Sequence, residues 1–115
     1  MHELPIVGEV VKIALRHAEK HQATRVVRIN LVLGDLTDLV HEWVQRYFTF
    51  VANETIASNA QLVIKRVPIT VLCDICKKPF TVNKKDVNFK CPDCGELGTT
   101  LLSGREFRVE SIEIE

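Results

Sequence analysis

The stretch Arg25-Val26-Val27-Arg28-Ile29-Asn30-Leu31-Val32-Leu33-Gly34 decides the fold. Its β-branched content is high, and Val27, Ile29, Leu31 and Leu33 alternate with Arg28, Asn30 and Val32, the period-two pattern of a strand with one well-buried face. Gly34 ends it. Such a face has to be covered, and helical patterns flank the strand on both sides.

Upstream, Leu4, Val7, Val11, Ala14 and Ala18 recur at three- and four-residue steps, which places them on one helical face. The spacing predicts a helix from about Leu4 to His21, with Pro5 in the first turn, where its missing N–H has no acceptor to lose. Downstream, Thr37 or Asp38 can cap a second helix, in which Val40, Val44, Tyr47 and Val51 form a stripe and Trp43 sits beside it. A second strand is expected from about Leu62 to Val67. The last segment, Arg105 to Glu115, alternates but changes phase: Phe107 and Val109 lie on one face, Ile112 and Ile114 on the other, so a bulge is expected near Glu110 or Ser111.

This order predicts an α+β fold, a small sheet with two helices on one face. If the last strand returns to that sheet, residues 1–68 and 104–115 form one domain and residues 69–103 form an inserted lobe. A chain of 115 residues with 46% hydrophobic content can build one compact core plus a small appendage. Lys+Arg 15 balance Asp+Glu 15, so no overall field draws the chain to nucleic acid or an anionic membrane. No stretch reads as a signal peptide or a membrane span, which predicts a cytoplasmic protein.

In that compartment thiols stay reduced, and the four cysteines read as a metal site. Cys73 and Cys76 enclose Asp74-Ile75, Cys91 and Cys94 enclose Pro92-Asp93, and 14 residues separate the pairs (91 − 76 − 1). Each pair can wrap a tight turn around one ion. Four thiolates on Zn(II) leave no open position, so the site is expected to be structural. Metal binding of this kind contributes on the order of 10 to 16 kcal/mol apparent to small modules that lack a core. Lys77 to Val82 and Asn88-Phe89-Lys90 are expected to be the short strands of a zinc-ribbon-like lobe, with Gly95 in the turn after the last cysteine. Between Cys73 and Cys94, five lysines exceed three aspartates by two, which balances the minus two of a zinc–tetrathiolate centre rather than marking a phosphate-binding patch.

The start, Met1-His2-Glu3, offers a different donor set. The α-amine, the His2 amide and imidazole and the Glu3 amide can surround one small ion, a nitrogen set that suits square-planar Ni(II) or Cu(II). His17 and His21, four apart on the first helix, can face each other but lack a third ligand and read as a solvated face. His41 reads as a surface residue, although it and Asp38 are candidates to complete the N-terminal coordination. No phosphate-binding loop and no nucleophile or acid–base constellation stands out, so no enzymatic activity is expected and any nucleotide-driven step belongs to a partner.

Met1-His2-Glu3-Leu4 opening a helix, Leu33-Gly34-Asp35-Leu36-Thr37, the two Cys-x-x-Cys pairs and Gly104-Arg105-Glu106-Phe107-Arg108-Val109-Glu110-Ser111-Ile112-Glu113 occur here in one order. In that order the chain resembles the HypA/HybF family of hydrogenase nickel incorporation proteins along essentially its whole length. The resemblance implies a Ni(II) site at His2 with Glu3 and the Met1 amine, and a Zn(II) site at Cys73, Cys76, Cys91 and Cys94. It implies delivery of Ni(II) to the [NiFe] hydrogenase large-subunit precursor beside a HypB-type GTPase, with urease accessory proteins as partners in some organisms. Asp35-Leu36-Thr37 stands where Glu-Leu-Ser is more usual. Glu96-Leu97-Gly98 replaces the histidine that some relatives carry beside the last cysteine pair. A monomer or a domain-swapped dimer is expected, with no nucleic-acid or membrane partner. The competing readings are a zinc-ribbon adaptor that binds nucleic acid or a protein complex, and a thiol oxidoreductase.

Overall fold

A computed structural model describes residues 3–37 and 39–115. The elements run α1 (Glu3–Lys20), β1 (Val26–Gly34), α2 (His41–Val51), β2 (Gln61–Val67), β3 (Ile69–Cys73), β4 (Pro79–Val82), β5 (Gly98–Ser103) and β6 (Phe107–Ile114). The fold is α+β as expected: β2-β1-β6 form one small sheet, and β4-β3-β5 form a second three-stranded sheet that belongs to the zinc-ribbon-like lobe. The chain divides into two compact units, one of Met1–Leu31, Asp38–Lys65 and Arg108–Glu115, the other of Val32–Thr37 and Arg66–Phe107. Among the described residues no helix is long and apolar enough to cross a membrane.

In the first unit, α1 buries Val7, Val10, Val11, Ala14 and Ala18. Each valine contributes up to about 1.5–3 kcal/mol through burial. Leu4, expected on this stripe, is 40% exposed, and the buried residue of the first turn is Glu3. On α2 the buried positions are Val44 and Phe48, with Leu39 and Ala52 buried at its two ends, so the core-facing stripe is rotated from the expected one: Val40 and Trp43 are exposed. The exposed Trp43 stacks on Tyr47 at 5.8 Å and carries the Arg46 guanidinium at 5.3 Å. The two helices pack against each other. Val40 is the N-cap residue of α2 and makes no side-chain cap. Thr37 does not cap it either, because its Oγ1 donates to the Gly34 carbonyl at 2.8 Å; Asp38, the other expected cap, lies outside the described residues.

β6 runs antiparallel to β1. Arg25 and Glu115 exchange backbone hydrogen bonds of 3.2 and 3.0 Å, and Gly34 N–H donates to Glu106 O at 2.7 Å. Side chains pair across the strands, Arg28 with Glu113 at 2.9 Å and Asn30 with Ser111 at 2.8 Å. Val109, Ile112 and Ile114 are half-buried, and the alternation breaks at the consecutive exposed pair Glu110–Ser111, where the phase change was expected.

In the second unit β3 is the central strand. It pairs antiparallel with β4 from Ile69↔Val82 to Leu72↔Pro79, and with β5 from Thr70↔Ser103 to Cys73↔Gly98. Ile69, Val71 and Cys73 alternate onto the buried face and join Phe80, Val82 and Cys91 in one core cluster. Asn88-Phe89-Lys90 forms no strand and contributes only an isolated bridge from Lys90 to Leu97. The segment after β1 is pinned by backbone bonds: Asp35 N–H to Val67 O at 2.9 Å and Leu36 N–H to Gly104 O at 2.8 Å. Here the backbones of Gly34 and Gly104 lie so close that a Cβ on Gly34 would overlap the Gly104 carbonyl and come within 2.7 Å of Glu106 N. Because backbone cannot swing aside as a side chain can, Gly34→Ala is expected to cost about 3 kcal/mol or more. Urea denaturation reads this directly, and an unchanged midpoint would show that the crossing opens without penalty.

Candidate metal centre

Two tight turns bring the four cysteines together. In the first, Cys73 N–H donates to Lys78 O at 3.0 Å and Lys77 N–H to Cys73 O at 3.1 Å; in the second, Cys91 N–H donates to Glu96 O at 2.7 Å and Gly95 N–H to Cys91 O at 2.8 Å. The pattern is the same in both. The residue after the second cysteine of each pair takes a left-handed conformation, Lys77 with φ 59 and Gly95 with φ 77. Glycine accepts that conformation freely, whereas lysine bears a steric cost. Asp74 ties the first turn to β5: its Oδ1 accepts Thr99 N–H at 3.0 Å and the Thr99 hydroxyl at 2.9 Å.

Strand periodicity aims the first sulfur. Cys73 continues the buried alternation of Ile69 and Val71, so its side chain is fully buried at the end of β3. Cys91 is also buried, Cys76 is half-buried and Cys94 is exposed. All four sulfurs lie within 4.8 Å of one another. The sulfurs of Cys73 and Cys94 lie 3.5 Å apart, those of Cys76 and Cys91 3.6 Å and those of Cys76 and Cys94 4.0 Å. A tetrahedron of sulfurs about 2.3 Å from a central zinc ion has edges of about 3.8 Å, so these separations fit that ion. They are far too long for disulfides.

The proton equilibria of the cluster fit the same chemistry. The Cys73 thiol is lowered to about 6, chiefly because the Cys76 backbone N–H points at its sulfur, against an opposing push from burial. Cys76 is pushed up to about 12, first by its contact with the Cys73 sulfur and then by burial. Cys94 is held down by the Glu96 backbone N–H, but contact with the Cys73 sulfur and burial outweigh this and raise it. One thiolate therefore forms readily at Cys73, and Cys76 and Cys94 resist following it. A divalent cation at the centre reverses that resistance by supplying the opposing charge.

Of the N-terminal donors, Met1 and His2 lie outside the described residues, as does Asp38. Glu3 is described and is 7% exposed. Its carboxylate accepts the Val40 N–H at 3.1 Å across 37 residues of sequence. The first turn of α1 is thereby tied to the start of α2, where the helix dipole favours a negative charge. No spacing rule links Glu3 to Val40, and sequence reasoning missed the pair. His41, the first residue of α2, is exposed. His17 is half-buried and His21 exposed, with ring centroids 4.6 Å apart. Among the described residues, the cysteines are the group of three or more His, Cys, Asp or Glu side chains placed to share an ion.

With this geometry in place, comparison with known proteins gives a consistent answer. The family described as "Hydrogenase/urease nickel incorporation, metallochaperone, hypA" matches residues 1–114. The chain is 39% identical over 114 residues to the hydrogenase maturation factor HypA of Picosynechococcus sp., covering 99% of both chains. It is 36% identical over 116 residues to the protein of the same name from Caldanaerobacter subterraneus subsp. tengcongensis, covering 100% of both. In fold it is similar to the solution structure of the Ni metallochaperone HypA from Helicobacter pylori, with a TM-score of 0.66 at 24% identity over 99% of this chain and 97% of that one. A second solution structure, of a HypA protein, aligns with a TM-score of 0.72 at 23% identity over 100% and 97% of the two chains. The chain belongs to the HypA family of hydrogenase/urease nickel-incorporation metallochaperones.

Proposed function

We propose that this protein is a nickel metallochaperone that carries Ni(II) on its N-terminal residues and surrenders it during maturation of [NiFe] hydrogenase, with urease a second destination. The family match over residues 1–114 carries this reading. His2 supplies the principal ligand, and the Met1 amine and the backbone nitrogens of His2 and Glu3 complete a nitrogen set of the kind Ni(II) accepts in square-planar geometry. The Glu3 side chain serves differently from the rest of that set. Its carboxylate is engaged by the Val40 N–H and anchors the first turn of α1, which leaves the Glu3 amide as its contribution to the ion.

Cys73, Cys76, Cys91 and Cys94 hold Zn(II), which supplies a closed tetrahedral anchor for the two turns and no exchangeable position. Residues 1–68 with 104–115 form the nickel domain, and residues 69–103 form the zinc lobe. A cargo ion needs the opposite kind of site. A chain end can reorient towards an acceptor at little conformational cost, so ligand exchange at His2 accompanies docking. The chain acts as a carrier and not as a catalyst. Its partners are a HypB-type GTPase, the hydrogenase large-subunit precursor and, for urease, an accessory protein. The setting is the cytoplasm, where the four thiols remain reduced.

Metal analysis and calorimetry on untagged protein test the two-site reading, because any residue ahead of Met1 would block the amine. His2→Ala is expected to abolish Ni(II) binding at micromolar levels while leaving zinc content and thermal unfolding unchanged; loss of zinc in that variant contradicts separate sites. Cys91→Ala is expected to release zinc and open residues 69–103 to protease, and undiminished resistance there counts against a structural ion. The two left-handed turn positions give a subtler check. Lys77→Gly should gain about 0.5–1 kcal/mol and Gly95→Ala should lose about 1–2 kcal/mol, read as opposite shifts of the unfolding midpoint.

A further inference from the structure

At the C-terminal end of α1 stand two imidazoles with no part in the proposed function, His17 in the last turn and His21 just past the helix end. We propose that His17 and His21 form a second Ni(II)-binding site, a bidentate imidazole pair with open coordination positions, separate from the N-terminal and cysteine sites.

The pair is built by the helix itself. Residues four apart sit one above the other on a helical face, and here the ring centroids lie 4.6 Å apart with planes tilted by 53°. With metal–nitrogen bonds of about 2.1 Å and ring centres roughly 1.1 Å behind each nitrogen, two imidazoles at right angles on one ion have centres about 4.5 Å apart. The observed centroid spacing is close to this value. His17 is half-buried against the body of α1, which limits its freedom, while His21 is exposed and leaves the ion's remaining positions to water. His17 and Lys20 lie in the last turn, at the negative end of the helix dipole, which favours a bound cation. Imidazole nitrogen selects borderline ions such as Ni(II) over Mg(II) or Ca(II).

The site cannot be an extension of the N-terminal one. Fourteen helical steps lead from Glu3 to His17, roughly 21 Å along the axis. The described residues place no third His, Cys, Asp or Glu donor beside the two rings. Two protein ligands therefore give a weak, rapidly exchanging site, one that accepts Ni(II) at higher concentrations than a multidentate chain end does. It depends on neither His2 nor the cysteines.

The test uses untagged, zinc-loaded full-length protein carrying His2→Ala, titrated with Ni(II) to about 1 mM while histidine ring protons are followed by NMR. The paramagnetic ion is expected to broaden the His17 and His21 resonances well before those of His41. His21→Gln, a substitution at an exposed position beyond the helix end, is expected to weaken this binding about tenfold or more, and His17→Gln likewise. Absence of broadening, equal broadening of His41, or unchanged binding in His21→Gln overturns the proposal. Failure of the N-terminal reading is a separate result: there, His2→Ala would leave the tighter binding seen in the unsubstituted protein intact.

Discussion

Four sulfur atoms held within 4.8 Å of one another cannot all ionise unless a cation sits among them, and the second unit is organised around that constraint. Its core is small: Ile69, Val71, Phe80 and Val82 are joined there by two of the cysteines themselves. Cys73 is at once the last core position of β3 and a thiol that the Cys76 backbone N–H draws towards the thiolate form. Packing and coordination thus share a residue. The duplicated turn makes the second demand, since each needs a left-handed residue after its second cysteine, and only Gly95 meets it without steric cost.

The first unit has a different constraint, a carboxylate taken out of water. A buried charge is costly unless it is hydrogen-bonded, and Glu3 meets this by accepting the Val40 N–H at the start of α2. One bond therefore serves two elements. It replaces the side-chain cap that α2 lacks, and it fixes the start of α1 immediately after the two residues proposed to carry nickel. A chain end that presents donors to an acceptor benefits from an anchored base, because less ordering entropy is then lost on docking.

The three donor sets differ in closure, and closure decides what each can do. Four thiolates occupy every position of a tetrahedral ion and leave nothing for a second molecule to attack. Nitrogen donors at a chain end can be displaced one at a time. The imidazole pair proposed at the end of α1 offers only two ligands, which leaves the rest of the sphere to water and favours fast exchange. Retention and transfer are opposite demands on one ion, and separating them in sequence resolves the conflict.

Local spacing made much of this legible. The Cys-x-x-Cys pairs and the Val7, Val11, Ala14 and Ala18 stripe follow from spacings that act over a few residues, whereas β1 buries Ile29, Leu31 and Leu33 as expected but also Val26 and Val32, which breaks its alternation. The short strand Ile69–Cys73 was hidden, because Pro68 precedes it and five residues give alternation little room to declare itself. The α2 stripe was misplaced by part of a turn, since Val40, Tyr47 and Phe48 compete for the core on hydrophobicity alone and only packing chooses among them. By itself, then, the sequence determined which residues could become ligands and which periods the elements would follow, both being local chemistry. Tertiary structure alone decided the contact of Glu3 with Val40 and the close passage of Gly34 by Gly104, because each joins residues far apart in sequence that no local period relates.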